Sequence, residues 1–129
     1  MGRTRAARLL AVARHALSIL TDLIGDAEPD VQKALSWALR SLTLVDAAAV
    51  TEFVVAQASI ARSTDDGQRA WVIRDTLMKL APETAVETRS QLDGIRRRTG
   101  APSTSRAAET SARFADLGLG AAPPEPPLT

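Results

Sequence analysis

The chain has 129 residues, of which 45% are apolar, 24% are charged and only 3% are aromatic, and its formal net charge is +1. This length allows one domain, and the shortage of aromatic residues favours packed helices over a sheet. The absence of cysteine excludes disulfides and thiolate chemistry, and the single histidine, His15, cannot form a metal cluster. We therefore expect no metal and no cofactor. Because a chain without cysteine tolerates a reducing compartment, we expect a cytoplasmic protein.

Helical periodicity predicts six helices, over residues 4–24, 29–44, 47–62, 68–80, 82–98 and 106–117. Gly25 and Gly100 are placed to end the first and fifth helices, and Asp46 is placed to cap the third. Residues 63–67 have the composition of a loop. The apolar residues expected to be buried outside the second helix are Leu10, Ala13, Leu17, Leu20, Ile24, Val50, Phe53, Val54, Ile60, Ala70, Ile73, Leu77, Leu80, Phe114 and Leu117.

The first helix carries four arginines before the first acid, which superficially resembles a transit peptide. Its apolar run, residues 9–20, is interrupted by Arg14 and His15 and is too short to span a membrane. We interpret the segment as an ordinary helix, with the transit peptide as the alternative, and expect no membrane interaction.

Helices two and four align at an offset of about 39 residues, and helices three and five at about 35. A helix–turn–helix unit that recurs every 35 to 40 residues or so is close to the HEAT and armadillo range. The predicted fold is therefore all-α, a HEAT-like or armadillo-type superhelix of helical hairpins. It is preferred over a four-helix bundle because the helices pair in units with short internal turns. We expect repeats over residues 1–100, a loop and short helix over 101–120, and a disordered, proline-rich tail over 121–129.

The second helix places its only tryptophan on the outside. Its apolar face consists of Val31, Ala34, Leu35, Ala38, Leu39 and Leu42. Trp37 points about 130° away from the middle of this face, and its neighbours there are Lys33 and Arg40. An outward tryptophan between two cations either packs against another element or meets a ligand such as nucleic acid.

The fourth helix and the end of the fifth carry further cations. Trp71 lies at the edge of the apolar stripe, which favours burial at a helix boundary. We expect Asp75 to pair with Arg74 or Lys79 within its own helix. The run Ile95–Arg98 is expected at a helix C-terminus in solvent, with phosphate contact as the alternative. The sequence has no phosphate-binding glycine loop, metal-ligand spacing or nucleophilic triad, so no catalytic residue is assigned.

Residues 31–42, V-Q-K-A-L-S-W-A-L-R-S-L, resemble the signature helix of the DNA alkylation repair family, the HEAT-like-repeat alkylpurine DNA glycosylases. Residues 71–80 resemble the next repeat of that family more loosely. The resemblance implies a concave basic surface that grips duplex DNA and excises cationic alkylated purines by means of tryptophans, an acid and an arginine. Trp37 matches the family's C-terminal cleft tryptophan. The other cleft tryptophan and the catalytic acid belong to earlier repeats, so we expect this chain to correspond to the C-terminal half and to lack N-glycosyl hydrolase activity alone.

The partner that follows is duplex DNA with alkylated purine lesions. The residues predicted to bind DNA are Lys33, Trp37, Arg40, Arg69, Arg74 and Lys79. The alternative is a non-enzymatic helical-repeat scaffold that binds protein, with Trp37 as the anchor of the contact. A third possibility is a degenerate fragment that binds nothing.

Overall fold

A computed structural model describes residues 4–117, which form six α-helices, one short 3-10 helix and, over this range, no strand. The helices are α1 (Arg5–Leu23), α2 (Pro29–Leu42), α3 (Ala47–Thr64), α4 (Gly67–Thr76), α5 (Pro82–Gln91) and α6 (Arg106–Asp116), and the 3-10 helix, Leu77–Lys79, follows α4 directly. The prediction of an all-α fold is confirmed. The predicted proline-rich tail, residues 121–129, lies outside the described residues.

Short polar side chains begin four of these helices. Thr4, Asp46, Asp66 and Ser105 each accept a hydrogen bond from a backbone N–H in the first turn of α1, α3, α4 and α6. Such caps satisfy N–H groups that have no partner within the helix. After α1 the chain turns at Gly25, whose φ of +98° suits glycine, so α2 folds back on α1 as the sequence predicts.

The helices form two layers around one apolar core. The first layer consists of α2 and α4, which pack extensively on each other, and the second contains α1, α3 and α5. Ser36 contacts Asp75 and Gln32 contacts Gln68, so α2 and α4 run in the same direction, one repeat apart. The arrangement is consistent with a helical repeat. The fully buried apolar side chains at the centre of the core are Ile24, Leu39, Val50, Val54, Val72, Ile73, Leu77 and Leu92.

Several predicted boundaries are wrong. α2 ends at Leu42 instead of residue 44, and the expected loop over 63–67 shrinks to Asp65 and Asp66 because α3 continues to Thr64. α4 gives way to the 3-10 helix after Thr76. These differences are small, but they leave the predicted core residues Ile24 and Leu80 just after a helix end and place Leu77 in the 3-10 helix.

The end of α5 is a larger correction. The helix stops at Gln91, seven residues before the predicted end at residue 98. Gly94 adopts a φ of +81°, and the chain then turns Ile95 into the core, where it is 3% exposed. Burying this isoleucine and Leu92 requires the chain to leave the helical path, so the following arginines lie on an extended segment and not at a helix end.

Some predicted core residues are exposed. Leu10, Ala34 and Ile60 face solvent, whereas Gln32 and Ser36 are buried in α2. The buried face of α2 therefore includes these two polar residues, because α4 packs against that side of the helix. The remaining errors lie in α6, which has no buried residue and leaves Phe114 and Leu117 exposed. This helix is attached through the buried cap Ser105 and an ion pair, Arg106 to Asp22 at 3.6 Å. None of the helices described here is long and apolar enough to cross a membrane.

Candidate nucleic-acid interface

Trp37 is exposed on the outer side of α2, as the helical period predicts. Its side chain is 66% exposed and forms one wall of a shallow apolar groove of about 290 Å³ between α1 and α2. The other walls of the groove are Ala16, Ile19, Leu20, Ala38, Ser41 and Leu42. Lys33, one turn before Trp37, is also exposed. A large aromatic ring and an exposed ammonium group therefore share one accessible surface.

Arg40, one turn after Trp37, is paired with an acid from the neighbouring repeat. Its Nη1 lies 3.5 Å from Oδ2 of Asp75, and their side chains are 29% and 36% exposed. The hydroxyl of Ser36, which is fully buried, donates to the same carboxylate oxygen at 2.6 Å. The predicted pairing of Asp75 with Arg74 or Lys79 is wrong, because Asp75 faces α2 across the packed helices.

Arg69 and Arg74 are partly buried and contact other groups of the chain. Arg69 pairs with Asp66 at 3.5 Å and reaches the carbonyl of Ile24, and its side chain is 11% exposed. Burial lowers the pKa of the Arg69 guanidinium below its ordinary value, against the opposing charges of Asp66 and Glu109.

Arg74 donates to the carbonyl of Leu92. Burial lowers its pKa, and the nearby charge of Arg96 lowers it further, while Asp93 opposes both effects. Both Arg69 and Arg74 therefore serve contacts within the fold, and we do not include them in the interface proposed below.

Lys79 lies in the 3-10 helix after α4 and is exposed. It stands 39 residues after Arg40, the same separation as that between Ser36 and Asp75. Arg40 and Lys79 are therefore at aligned positions of the predicted repeat, although Lys79 stands in the 3-10 helix that follows α4. On this alignment we assign the two cations to the same side of the layer that α2 and α4 form.

The sequence predicts Arg97 at a solvated helix end, with phosphate contact as the alternative, but does not predict its position over Trp71. Its guanidinium lies over the ring of Trp71, with Cζ 4.6 Å from the ring centroid, and its Nη1 donates to Oε1 of Gln32 at 2.6 Å. Trp71 itself is half-buried against the core, in agreement with the predicted position at a helix boundary. The one local signal for this geometry is Gly94, which permits the turn after α5.

We define the outer surface as Lys33, Trp37, Arg40 and Lys79. Its three cations suit contact with phosphates, which fix a protein on nucleic acid without reading sequence. Its exposed indole suits stacking against a base, since every base has a π-face. Asp75 adds one negative charge beside Arg40. Whether DNA occupies this surface stays a prediction.

A model of a protein family described as DNA alkylation repair enzyme matches residues 4–80, which is more than half of the chain. The match includes α1 to α4 and the 3-10 helix, and so contains Trp37, Arg40 and Asp75. No match was found among curated proteins or among solved structures. The chain therefore belongs to the DNA alkylation repair enzyme family.

Proposed function

We propose that this member of the DNA alkylation repair enzyme family binds duplex DNA that contains alkylated purines, and that it does so through the outer surface of α2 and α4. The observation that carries the proposal is the 66% exposure of Trp37 between Lys33 and Arg40. An exposed tryptophan of this size normally marks a binding surface. The two flanking cations favour an anionic polymer as the partner.

The chemistry of the lesion fits the chemistry of the surface. Stacking of a base on an aromatic side chain contributes about 1–3 kcal/mol. A purine alkylated on a ring nitrogen is cationic, so the face of Trp37 adds a cation–π attraction that an ordinary base lacks. Lys33, Arg40 and Lys79 supply phosphate contacts that are independent of sequence. Duplex binding should therefore be weak, insensitive to sequence and steeply dependent on salt.

We do not propose excision of the base by this chain alone. Catalysed cleavage of the glycosidic bond usually relies on an ionised carboxylate close to the positive charge that develops on the sugar. The carboxylate of Asp75 is held by Ser36 and Arg40, on the side of α2 that faces α4. Viewed down the axis of α2, Trp37 points about 80° away from the mean direction of Ser36 and Arg40. It lies over the groove between α1 and α2. The carboxylate of Asp75 therefore does not point towards a base stacked on Trp37. Such a base is also open to water.

A second candidate function is a scaffold that binds protein, and one observation favours it. Leu9 and Val12 are exposed on α1, and helical spacing puts them on the same face as Ala16 and Ile19, which line the apolar groove. A contiguous apolar patch of this kind suits a protein contact. The two functions differ in their response to ionic strength. DNA binding is driven by the release of counterions and weakens as salt is added, whereas a contact made by apolar burial does not depend on counterion release.

The test is a titration of a labelled duplex, followed by fluorescence anisotropy over a series of salt concentrations. We expect Lys33→Ala with Arg40→Ala to weaken binding at every sequence and to flatten the salt slope by about two units at most. The matched control is Arg89→Ala with Arg113→Ala, which removes two exposed arginines from α5 and α6. Absence of wild-type binding at low salt, or equal losses in the two double variants, would contradict the proposal.

A further inference from the structure

The segment between α5 and α6 lies beyond the family match yet is fixed against the matched helices. Ile95 anchors its start in the core. Further along, Gln68 donates to the carbonyl of Ala101 at 3.0 Å, and the backbone N–H of Thr104 donates to the carbonyl of Gly25 at 2.9 Å. Ser103 accepts from the N–H of Ala27 at 2.8 Å. The segment therefore runs across the ends of α2 and α4 as a defined element, and its arginines have defined positions.

Arg97 is held by groups that are themselves immobilised. Gln32, which accepts from Arg97, is fully buried and donates both to the carbonyl of Asp26 at 2.7 Å and to Oε1 of Gln68 at 2.6 Å. The ring of Trp71 supports the flat face of the guanidinium. Stacking on an aromatic ring leaves the N–H edges of an arginine available, and these edges match the oxygens of a phosphate. Arg97 is exposed and uses one of its five donors on Gln32.

A polar depression of about 450 Å³ lies beside this guanidinium. Its walls are formed by Ala27, Gln68, Arg97, Arg98, Thr99, Gly100 and Ala101. Arg98 also pairs with Asp65 at 2.9 Å, but the two side chains are 75% and 56% exposed. An exposed pair of this kind contributes little and is readily exchanged for another anion. Two guanidinium groups and a hydroxyl therefore border one open cavity.

We propose that this depression seats a backbone phosphate of duplex DNA, with Arg97 as the contact and with Trp71 and Gln32 as positioning residues. The proposal rests on the proposed function, and it extends the DNA surface from the matched helices onto the segment after α5. Arg97 contacts Gln32 and Trp71 near the starts of α2 and α4, and Lys33 also lies near the start of α2, so the phosphate seat adjoins the outer surface. Free phosphate shares the same chemistry, and the experiment below separates the two sources.

The experiment compares duplex binding of Arg97→Gln and Arg96→Gln in the full chain, by anisotropy over a salt series. Arg96 is the matched control because it is adjacent and exposed but does not border the depression. We expect Arg97→Gln to weaken binding several-fold and to flatten the salt slope by about one unit, and Arg96→Gln to leave both unchanged. If the wild-type chain binds DNA but the two variants have equal Kd values and equal salt slopes, the proposal is overturned. Failure of the wild-type chain to bind removes the proposed function and this inference together.

Trp71 provides the test of positioning. Trp71→Phe keeps an aromatic platform and should retain wild-type binding, whereas Trp71→Leu should bind like Arg97→Gln. The double variant Trp71→Leu with Arg97→Gln should lose nothing more, since the two side chains act as one unit. Thermal unfolding followed by circular dichroism verifies that each variant is folded. If Trp71→Leu is unfolded, the comparison of Arg97→Gln with Arg96→Gln still decides the proposal. If inorganic phosphate raises the unfolding temperature of the wild type but not of Arg97→Gln, while the two proteins bind the duplex equally, the site belongs to free phosphate and the proposal is overturned.

Discussion

The carboxylate of Asp75 on α4 lies 3.5 Å from the guanidinium of Arg40 on α2, so an acid of one repeat neutralises a cation of the preceding repeat. The buried hydroxyl of Ser36, 39 residues before Asp75, fixes that carboxylate in place. This contact joins the two helices, and it also places a negative charge within the surface that we assign to DNA. A DNA phosphate that binds Arg40 has to compete with Asp75.

Asp75→Asn should therefore strengthen duplex binding. The amide keeps an oxygen for Ser36 but loses the charge that holds Arg40, so Arg40 becomes available to a phosphate. We expect a lower Kd and a salt slope that is steeper by about one unit. The control is Glu83→Gln, which makes the same change in net charge at an exposed position on α5. An unchanged Kd for Asp75→Asn would show that Arg40 makes no phosphate contact.

Leu39 and Trp37 should respond very differently to truncation. Leu39 is 1% exposed at the centre of the core, so Leu39→Ala should cost about 2–5 kcal/mol of the free energy of unfolding through the cavity it leaves. Trp37→Ala removes a mostly exposed side chain and should cost about 1 kcal/mol or less. Urea unfolding followed by circular dichroism measures both. Comparable losses would mean that Trp37 packs as a core residue in solution.

Gly67 should not tolerate alanine, although it begins a helix. In most helices Gly→Ala gains about 0.5–1 kcal/mol, because glycine loses more backbone entropy on folding. Here a Cβ on Gly67 would overlap the backbone carbonyl of Arg96, so the segment after α5 has to move. The comparison is Gly94→Ala, where the space is open and only the left-handed backbone conformation opposes the change, at about 1–2 kcal/mol. We expect the larger loss of stability for Gly67→Ala, and a gain in stability would contradict this packing.

Incubation of the chain with a duplex containing 7-methylguanine should release base only at the spontaneous rate. Asp75, the acid that pairs with Arg40, is engaged by Ser36 as well, and a base on Trp37 is exposed to water that screens any charge. Quantification of the free base by chromatography provides the measurement. If base is released well above the spontaneous rate, and if Trp37→Ala abolishes this excess, then a carboxylate of this chain reaches the sugar.

The features that the sequence predicts correctly are those that depend on local periodicity. A period of about 100° per residue is sufficient to place Trp37 outside and Leu39 inside, because both positions are set by one helix. The short linkers and the recurring offset likewise determine that the helices pair. The outward position of Trp37 and the all-α fold are therefore predictable from the sequence alone.

Contacts made across the repeats could not be predicted in this way. Asp75 finds Ser36 and Arg40 rather than the cations of its own helix, and the buried Gln32 is satisfied by Gln68 and Arg97. Polar residues at such positions look like surface residues until the neighbouring helix is placed. The end of α5 is similar: Gly94 permits the turn, but the burial of Ile95 after it depends on the neighbouring helices.

The fluorescence of Trp37 during a DNA titration tests the central claim most directly. The chain has two tryptophans, so Trp71→Phe leaves Trp37 as the only indole. We predict that a duplex containing 7-methylguanine changes the Trp37 emission saturably, with the same midpoint as the anisotropy of the labelled duplex, because a base stacks on the exposed ring. Emission that stays constant while the anisotropy reaches saturation would show that DNA binds elsewhere and would contradict the account.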